Sequence, residues 1–269
     1  MDNSFKISVI VATYNWPEAL RLCLSSLTTQ TDENYEIIVA DDGSKSPTKA
    51  VIDEVTASTT IPIKHVWHED DGCRKSLILN KGIAASQGKY LIFIDGDCIA
   101  QPDFIEQHRK LSQKDFLITG SRILLSKQLT QNLLPMKSWD FSEFKKNVIQ
   151  FRLKGDINKI AQLFFKRGDG NWRHFKRFIW RRIKGCNLSC WKADAEAIGG
   201  FDSSLVGWAH EDADFVFRLE HSGVTRKSGS WATEVIHLFH KVRDQSLNDT
   251  SVERLKSKIQ HMSQTVQSR

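Results

Sequence analysis

The stretch Leu91-Ile-Phe-Ile-Asp-Gly-Asp-Cys98 places two carboxylates directly after four apolar residues. Because side chains alternate along a strand, residues two apart share a face, so Asp95 and Asp97 are expected to point the same way. Gly96 lets the chain turn sharply and keeps the space between the two carboxylates open. The stretch predicts a buried strand that ends in a pair of hard oxygen ligands, suited to a divalent cation that also holds phosphate. A solvated Asp-Gly turn is the alternative that these residues alone leave open.

The residues before this stretch alternate between strand-like and helix-like patterns. Strands are predicted at 7–12, 35–40, 61–67 and 89–94, and helices from Pro17 onward, at 47–55 and at 76–86. The β-branched run at 7–12 is typical of a strand covered on both faces. Regular alternation of strands and helices predicts an α/β fold with a mostly parallel, Rossmann-like sheet flanked by helices.

Polar or acidic residues follow the carboxyl end of each predicted strand. In open α/β sheets this edge is where ligands bind. The chain has no Gly-x-Gly-x-x-Gly and no Walker A sequence, so neither a dinucleotide site nor a P-loop is supported. The residues expected to converge on one pocket are Thr13, Asn15, Asp41, Asp42, Asp71, Arg74, Asp95 and Asp97.

The composition narrows the class of protein. A chain of 269 residues is long enough for one large α/β domain or a domain with a long insertion. Its net charge of +6 suits a polyanionic partner, an anionic membrane surface or a phosphorylated substrate. Five cysteines, an odd number, argue against a disulfide framework. Because we find no apolar run of signal-peptide or bilayer-spanning length, we expect a cytoplasmic protein that can rest on the inner membrane.

Five motifs together resemble a known family. Val9–Asn15, Ile38–Ser44 and Asp95–Asp97 resemble successive motifs of family 2 glycosyltransferases with the GT-A fold. Gly199–Asp202 and Gly207–Asp214 resemble the acceptor-side motif of the β-1,4-galactosyltransferases and the bacterial chondroitin-type polymerases.

The resemblance covers residues 5–110 and 183–243 and implies a domain organisation. It implies one GT-A domain over residues 1–243, followed by a polar tail at 244–269. Within that domain, 1–110 would be the nucleotide-sugar half and 111–243 the acceptor half.

The resemblance also implies a nucleotide-sugar site. It makes Asp41 the carboxylate that accepts a hydrogen bond from the uracil ring. An ionised carboxylate can take this role, because its oxygens accept hydrogen bonds from the N–H groups of a base. Arg74 could fork onto phosphate oxygens, although for Arg74 and Lys81 a solvated helix face is the other interpretation. The residues implied in nucleotide-sugar binding are Ala12, Thr13, Tyr14, Asn15, Asp41, Asp70, Asp71, Arg74, Asn80, Lys81 and Asp95.

A metal site is implied around the second aspartate of the Asp-Gly-Asp motif. Asp97 is expected to bind the ion directly, with Asp95 turned toward the ribose or the metal. His237 and His240 lie where relatives place a metal-binding histidine, and their three-residue spacing leaves the choice between them open. Carboxylates and phosphates favour Mn²⁺ or Mg²⁺, and an imidazole beside them favours Mn²⁺.

Glu211 and Asp212 are the candidate catalytic acids. A carboxylate half-buried between Trp208 and Phe215 can have its pKa raised toward neutrality, as a general base for a hydroxyl requires. The resemblance makes Asp212 the base and Glu211 an acceptor-binding partner. Stabilisation of a helix N-terminus by the two acids is compatible with these roles. Trp208 is expected either to stack on an acceptor sugar or to pack in the core.

Residues 138–185 form a basic insertion, with 13 Lys or Arg against 4 Asp or Glu and ten interleaved aromatic residues. Three interpretations remain open. The insertion is a helical segment packed on the core with a solvated basic face, a surface for anionic lipid, or, least favoured, a nucleic-acid-binding surface.

Together these features predict an inverting, metal-dependent glycosyltransferase. It would move a sugar from a UDP-sugar to a hydroxyl of a bacterial surface glycan, such as lipopolysaccharide, capsule or a related polymer, free or linked to lipid. A sugar-nucleotide nucleotidyltransferase is the rival enzyme, but the first loop, Thr13–Pro17, lacks the glycine-rich basic character it would need. A non-catalytic basic protein that binds membrane or nucleic acid is the other alternative.

Overall fold

The computed structural model describes residues 4–180, 183–207 and 210–241, together with Glu253 and Ser257. In its first half strands and helices alternate as the sequence predicts, with bounds that differ by at most a few residues. The elements are β1 (Ile7–Thr13), α1 (Pro17–Leu27), β2 (Tyr35–Asp41), α2 (Ser46–Ala57), β3 (Ile63–Trp67), α3 (Lys75–Ala85) and β4 (Tyr90–Asp95). The four strands pair in parallel in the order β3-β2-β1-β4. Their carboxyl ends therefore meet at one edge.

The second half completes the sheet with mixed pairing. Its elements are β5 (Cys98–Ala100), α4 (Phe104–Leu111), β6 (Phe116–Thr119), β7 (Arg122–Leu124), α5 (Lys127–Leu133), α6 (Phe141–Leu153), β8 (Asn187–Trp191), α7 (Lys192–Ala197), α8 (Glu211–His221), β9 (Thr225–Ser228) and β10 (Val235–His237). Strand β8 is antiparallel to both β4 and β6, and β9 extends the sheet in parallel to β6. The sheet is thus mostly parallel.

A small second sheet sits at the same edge and brings distant residues together. Strand β10 lies between β5 and β7, antiparallel to β5 and parallel to β7. This pairing sets His237 opposite Cys98, next to Asp97 at the end of the Asp-Gly-Asp turn. The loop after β4 and the segment after β10 therefore share one site.

The core explains why these segments become strands and helices. The side chains of β1 alternate between two layers, with Val9 and Val11 packed toward α1 and Ile10 packed toward α3. Because β1 and β2 are buried on both faces, their β-branched residues face apolar neighbours on each side. Leu20 and Leu24 recur at helical spacing on α1 and are fully buried.

The basic insertion 138–185 is less regular than the sequence suggested. Among its described residues, helix α6 is accompanied by two short 3-10 turns, at 161–163 and 171–173. Phe144 and Val148 pack with the small sheet in a third apolar cluster. Leu153 and Phe165 remain exposed at 83% and 67%. Part of the insertion is therefore core, and part presents apolar side chains to solvent.

None of the helices in the described part of the chain combines the length and the apolar character needed to cross a membrane.

Candidate active site

Two adjoining cavities open at the carboxyl edge of the sheet. The first has a volume of about 370 Å³ and the second about 230 Å³. Lys75 and Asp95 line both cavities and form the wall between them. The first is lined by Ala12, Thr13, Tyr14, Asn15, Trp16, Asp42, Cys73, Lys75, Ile78, Asp95, Gly96, Asp97, His240 and Lys241. The second is lined by Lys75, Asp95, Arg122, Ile183, Lys184, Gly185, Cys186, His210, Glu211 and Asp212.

The loop after β1 reaches the first cavity as the sequence predicts. Asn15 adopts a left-handed backbone with φ 48°, which asparagine tolerates better than most residues. Its backbone N–H donates to Ser44 Oγ at 2.8 Å, and its side-chain oxygen accepts from the Lys45 N–H at 2.9 Å. The Tyr14 hydroxyl donates to Asp70 at 2.9 Å. These bonds tie the loops after β1, β2 and β3 together around the cavity.

Asp41, the predicted uracil-binding carboxylate, is not among the described residues that line the first cavity. It is 1% exposed, and both of its carboxylate oxygens have partners. Oδ1 accepts from the Ser44 N–H at 2.8 Å, and Oδ2 lies 3.0 Å from His65 Nε2. Asp42 lines the first cavity instead, although its oxygens also have partners: Oδ1 lies 2.7 Å from His68 Nε2, and Oδ2 accepts from the Arg74 N–H at 3.0 Å. Asp41 is the last residue of β2 and Asp42 lies just beyond it, so their side chains point in different directions, and Asp42 is the one that faces the cavity.

Asn80 and Lys81 do not reach either cavity. The Asn80 amide donates to the Phe201 carbonyl at 2.8 Å and accepts from the Phe201 N–H at 2.8 Å. It thereby ties α3 to the Gly-Gly-Phe-Asp segment, a structural role that the sequence analysis missed. Lys81 is exposed on the outer face of α3. The expectation that both line the diphosphate is not matched by their positions.

Arg74 and Asp71 pair with each other near the rim of the site. The Arg74 guanidinium donates to the Asp71 carboxylate, and its Nε donates to the Asp71 carbonyl at 3.2 Å. Both side chains are exposed, and neither is among the described residues that line the two cavities. The backbone N–H of Arg74 donates to Asp42 at 3.0 Å, which helps to orient that carboxylate.

Lys75 is a site residue that the sequence analysis did not single out. Its ammonium donates to Asp95 Oδ1 at 2.7 Å and lies 3.6 Å from Glu211 Oε1. Burial alone would lower the pKa of this ammonium, but the two carboxylates outweigh burial and hold its pKa above the ordinary value. Lys75 therefore stays charged and joins the first cavity to the second. No local pattern distinguished it from Arg74 beside it.

Asp97, His237 and His240 form a cluster with metal-ligand spacing. Their ligand atoms lie within 4.8 Å of one another, with His237 Nε2 3.8 Å and His240 Nε2 3.4 Å from the Asp97 carboxylate. Both candidate histidines reach the site, so the fold brings together all three predicted ligands. One carboxylate and two imidazoles are a donor set that fits Mn²⁺.

Electrostatics favour a neutral imidazole in this cluster. Burial lowers the pKa of His237, although the Asp97 carboxylate opposes that effect. Burial raises the pKa of Asp97, and the two histidines counteract it. Cys98, Cys186 and His237 form a second group of potential ligands, but burial raises the pKa of the Cys98 thiol well above its ordinary value. A thiolate is a soft ligand, so the carboxylate–histidine set is better suited to a hard cation.

The two candidate catalytic acids begin helix α8 and face the second cavity. Asp212 is half-buried, and its carboxylate accepts from the Gly185 N–H and the Ala213 N–H, each at 2.8 Å. A Cβ on Gly185 would lie 2.9 Å from the Asp212 Cβ, so this approach needs glycine. Glu211 is buried, and burial raises the pKa of its carboxyl while Lys75 opposes the effect. Both acids also sit where the helix dipole favours negative charge.

Trp208, the predicted acceptor-stacking residue, lies outside the described residues.

Comparisons with known proteins place the chain among glycosyltransferases. The family described as Glycosyl transferase family 2 matches residues 8–170, and the one described as the N-terminal domain of galactosyltransferase matches residues 173–266. Chondroitin synthase of Escherichia coli is 27% identical over 232 residues, which cover 81% of this chain and 32% of that protein. Validoxylamine A glucosyltransferase of Streptomyces hygroscopicus subsp. jinggangensis is 25% identical over 250 residues, which cover 86% of this chain and 56% of that protein. The chain thus spans between a third and just over half of these relatives.

Solved structures support the same fold. Mannosyltransferase PcManGT from Pyrobaculum calidifontis, in complex with GDP-Man and Mn²⁺, matches with a TM-score of 0.61 at 14% identity, covering 90% of this chain and 59% of that one. S. aureus TarS in complex with UDP matches with a TM-score of 0.60 at 14% identity, covering 86% of this chain and 60% of that one. Both neighbours have the GT-A architecture that the sequence predicted.

Proposed function

Since the chain belongs to glycosyl transferase family 2, it is a glycosyltransferase, and we propose that it moves a sugar from UDP to a glycan hydroxyl with inversion and with the help of a divalent metal. The observation that carries the proposal is the arrangement of the two cavities. The Asp97–His237–His240 cluster adjoins one cavity, Asp212 faces the other, and Lys75 and Asp95 stand between them. Such a site separates a charged leaving group from a proton acceptor.

The first cavity is proposed to hold the nucleotide. Asp42, rather than Asp41, would accept from the uracil ring, because Asp42 lines this cavity and a carboxylate oxygen can accept a further hydrogen bond beside its contacts with His68 and the Arg74 N–H. Ala12 to Asn15 line the same cavity, and Asp95 reaches it beside Lys75. The solved neighbours bind UDP or GDP-Man, so they support a sugar nucleotide without selecting the base.

The carboxylate–histidine cluster is proposed to hold Mn²⁺, or Mg²⁺ in its place. When bound, the ion would neutralise the charge that builds on the departing diphosphate. Asp97 and His240 stand nearest the first cavity, and His237 lies beneath them, 7% exposed. The neighbouring mannosyltransferase, which contains Mn²⁺, supports this assignment.

Asp212 is proposed to act as the general base. Its carboxylate would take the proton of the acceptor hydroxyl while that oxygen bonds to the anomeric carbon and the carbon–oxygen bond to UDP breaks. A single displacement of this kind inverts the anomeric centre, so an α-linked donor gives a β-linked product. The two N–H groups that bind Asp212 hold its carboxylate in place. Glu211, beside Lys75, would hold the acceptor.

The acceptor is proposed to be a glycan or a lipid-linked glycan at the surface of a bacterial inner membrane, as in lipopolysaccharide or capsule assembly. Chondroitin synthase among the relatives supports a polysaccharide product. Leu153 and Ile149 lie on the exposed face of α6 near Lys145 and Lys146, which suits contact with anionic lipid. Binding to anionic vesicles should weaken with added salt, and equal binding to neutral vesicles would contradict the lipid contact.

A UDP-release assay across a panel of UDP- and GDP-sugars, with and without Mn²⁺, tests the proposal. We expect Mn²⁺-dependent UDP release in the presence of an acceptor, with an inverted anomeric centre in the product by NMR. Full transfer in the presence of a chelator would refute the metal-dependent mechanism. Formation of a sugar nucleotide from a nucleoside triphosphate and a sugar phosphate would instead identify a nucleotidyltransferase.

A further inference from the structure

A third cavity, here called the outer groove, continues from the second one. It has a volume of about 670 Å³, within the roughly 300–1,000 Å³ typical of ligand pockets. It lies among β6, β7, β9 and the middle of the basic insertion. Its described lining residues include Arg122, Trp172, Arg173, Lys184, Ser228 and Ser230.

Two cations connect the outer groove to the catalytic carboxylates. Arg122 and Lys184 line both the outer groove and the second cavity, which also contains Glu211 and Asp212. A ligand that fills the groove therefore extends toward the proposed base along a path flanked by these two side chains.

The outer groove is more basic than the second cavity, where the cations Lys75, Arg122 and Lys184 are matched by an equal number of carboxylates. No carboxylate is found among its described lining residues, whereas three carboxylates line the second cavity. In the part of the chain that the structure describes, Arg122 forms no ion pair, and its Nη1 lies 3.4 Å from His237 Nε2. The charge of this guanidinium is thus available to a ligand.

The wall of the outer groove is held by a buried guanidinium. Arg173 is 1% exposed, and its Nη1 donates to the carbonyls of Ser228 and Ser230, each at 2.7 Å. Its other nitrogens donate to the carbonyls of Gly168 and Arg167. These bonds fasten the segment around Trp172 to the turn after β9. The hydrogen bonds of Arg173 therefore hold the wall of the groove in place.

We propose that the outer groove binds an anionic acceptor saccharide, with a carboxylate or phosphate of the chain held by Arg122 and Lys184 while its hydroxyl reaches Asp212. This inference rests on the proposed function, because it takes Asp212 as the point of transfer. Guanidinium pairs with carboxylate or phosphate through two parallel hydrogen bonds, which fixes the register of the ligand as well as its charge. Part of the basic insertion thereby serves substrate binding.

Matched acceptor probes test the charge requirement. An oligosaccharide with a hexuronic acid next to its terminal sugar is compared with its carboxyl-reduced form, and a hexose-phosphate oligosaccharide is compared with its dephosphorylated form. Binding to the full chain with UDP and Mn²⁺ is measured by calorimetry. We expect at least one charged probe to bind roughly ten- to a hundredfold more tightly than its neutral partner. The preferred pair identifies carboxylate or phosphate as the anion.

Charge-neutralising variants identify the side chains responsible for the preference for charged probes. Arg122→Gln and Lys184→Gln should each remove most of the difference between a charged probe and its neutral partner. Lys154→Gln makes the same charge change at an exposed position of the insertion and should preserve the difference. Equal affinity for every charged and neutral pair would overturn the proposal, as would an unchanged preference in Arg122→Gln and Lys184→Gln.

The nucleotide measurements separate this proposal from the function on which it rests. Failure of the wild-type chain to bind UDP with Mn²⁺ would refute the proposed function. Normal UDP binding with no preference for charged probes would remove only the anionic acceptor. Because Arg122 lies close to His237, loss of UDP affinity in Arg122→Gln without loss of the probe preference would assign its charge to the donor and overturn its role in the groove.

Discussion

Replacing Asp212 with asparagine tests the assignment of the catalytic base. The substitution keeps the size of the side chain but removes its ability to accept a proton. In the folded protein the carboxylate accepts from both the Gly185 and Ala213 N–H groups. An amide offers one oxygen, so one of these two N–H groups would face an NH₂ group and lose its acceptor.

The two consequences of this substitution differ in size. Loss of one hydrogen bond costs about 0.5–1.5 kcal/mol, a small part of the roughly 5–15 kcal/mol of a typical domain, so Asp212→Asn should stay folded. Loss of a positioned base typically lowers kcat by roughly 10²- to 10⁴-fold, which corresponds to about 2.7–5.4 kcal/mol in the barrier. Affinity for UDP should hardly change, because Asp212 is not among the residues that line the first cavity.

The assay is steady-state UDP release at saturating donor, accompanied by UDP titration and urea unfolding of each variant. Glu211→Gln is the comparison and should act mainly on the KM for the acceptor, because Glu211 lies beside Lys75 rather than at the proposed proton acceptor. Asp53→Asn is the matched control, since Asp53 is exposed on α2 and, within the described residues, pairs with Lys49 of the same helix.

Near-normal kcat in Asp212→Asn would refute the assignment. If Glu211→Gln then abolished turnover, Glu211 would be the base, which its buried position and raised pKa would suit. If neither variant lost turnover, Asp95, the other carboxylate among the described residues that line the second cavity, would be the next to test.

Three further predictions concern the metal, the fold and pH. Asp97→Ala should abolish transfer and weaken Mn²⁺-dependent UDP binding at least tenfold in calorimetry. Its melting temperature should change little, because a ligand at a strand end is not part of the core. His240→Asn should weaken the same Mn²⁺-dependent UDP binding. Asn80→Ala should lower the free energy of unfolding by about 1–3 kcal/mol, since two hydrogen bonds to the Phe201 backbone are lost, and an unchanged urea midpoint would contradict that structural role. Burial raises the pKa of the Glu234 carboxyl above 4.5, so the folded state binds this proton more tightly than the unfolded state. Glu234 therefore contributes to the free energy of unfolding below pH 4.5, and this contribution is lost as pH rises through the folded-state pKa. Glu234→Gln should flatten this dependence in urea titrations across acid and neutral pH, and a parallel curve would refute it.

Local sequence was enough to predict the elements that build the sheet. The β-branched run of β1 and the helical spacing of Leu20 and Leu24 are patterns within a few residues, and the burial of a strand or a helix face depends on just such patterns. Since parallel strands align their carboxyl ends, the positions of Thr13, Asp95 and Asp97 at one edge followed from the order of strands alone.

The identity of individual site residues depended on the tertiary structure. Asp41 and Asp42 are adjacent and chemically identical, and only the orientation at the end of β2 decides which one faces the cavity. Lys75 was hidden for the same reason, because its partners Asp95 and Glu211 are distant in the chain and meet it only after folding.

The metal cluster and the outer groove also depend on tertiary structure, because their residues come from segments that are far apart in the chain. His237 approaches Asp97 because β10 inserts between β5 and β7, which lie more than one hundred residues earlier in the chain. The excess of positive charge in the basic insertion was visible in the sequence, but the direction in which its side chains point was not. The buried Arg173 fastens its segment to the carbonyls of another loop, and Trp172 beside it lines the groove. Composition records how many charges a segment carries, whereas the contacts made on folding decide which of them face a ligand.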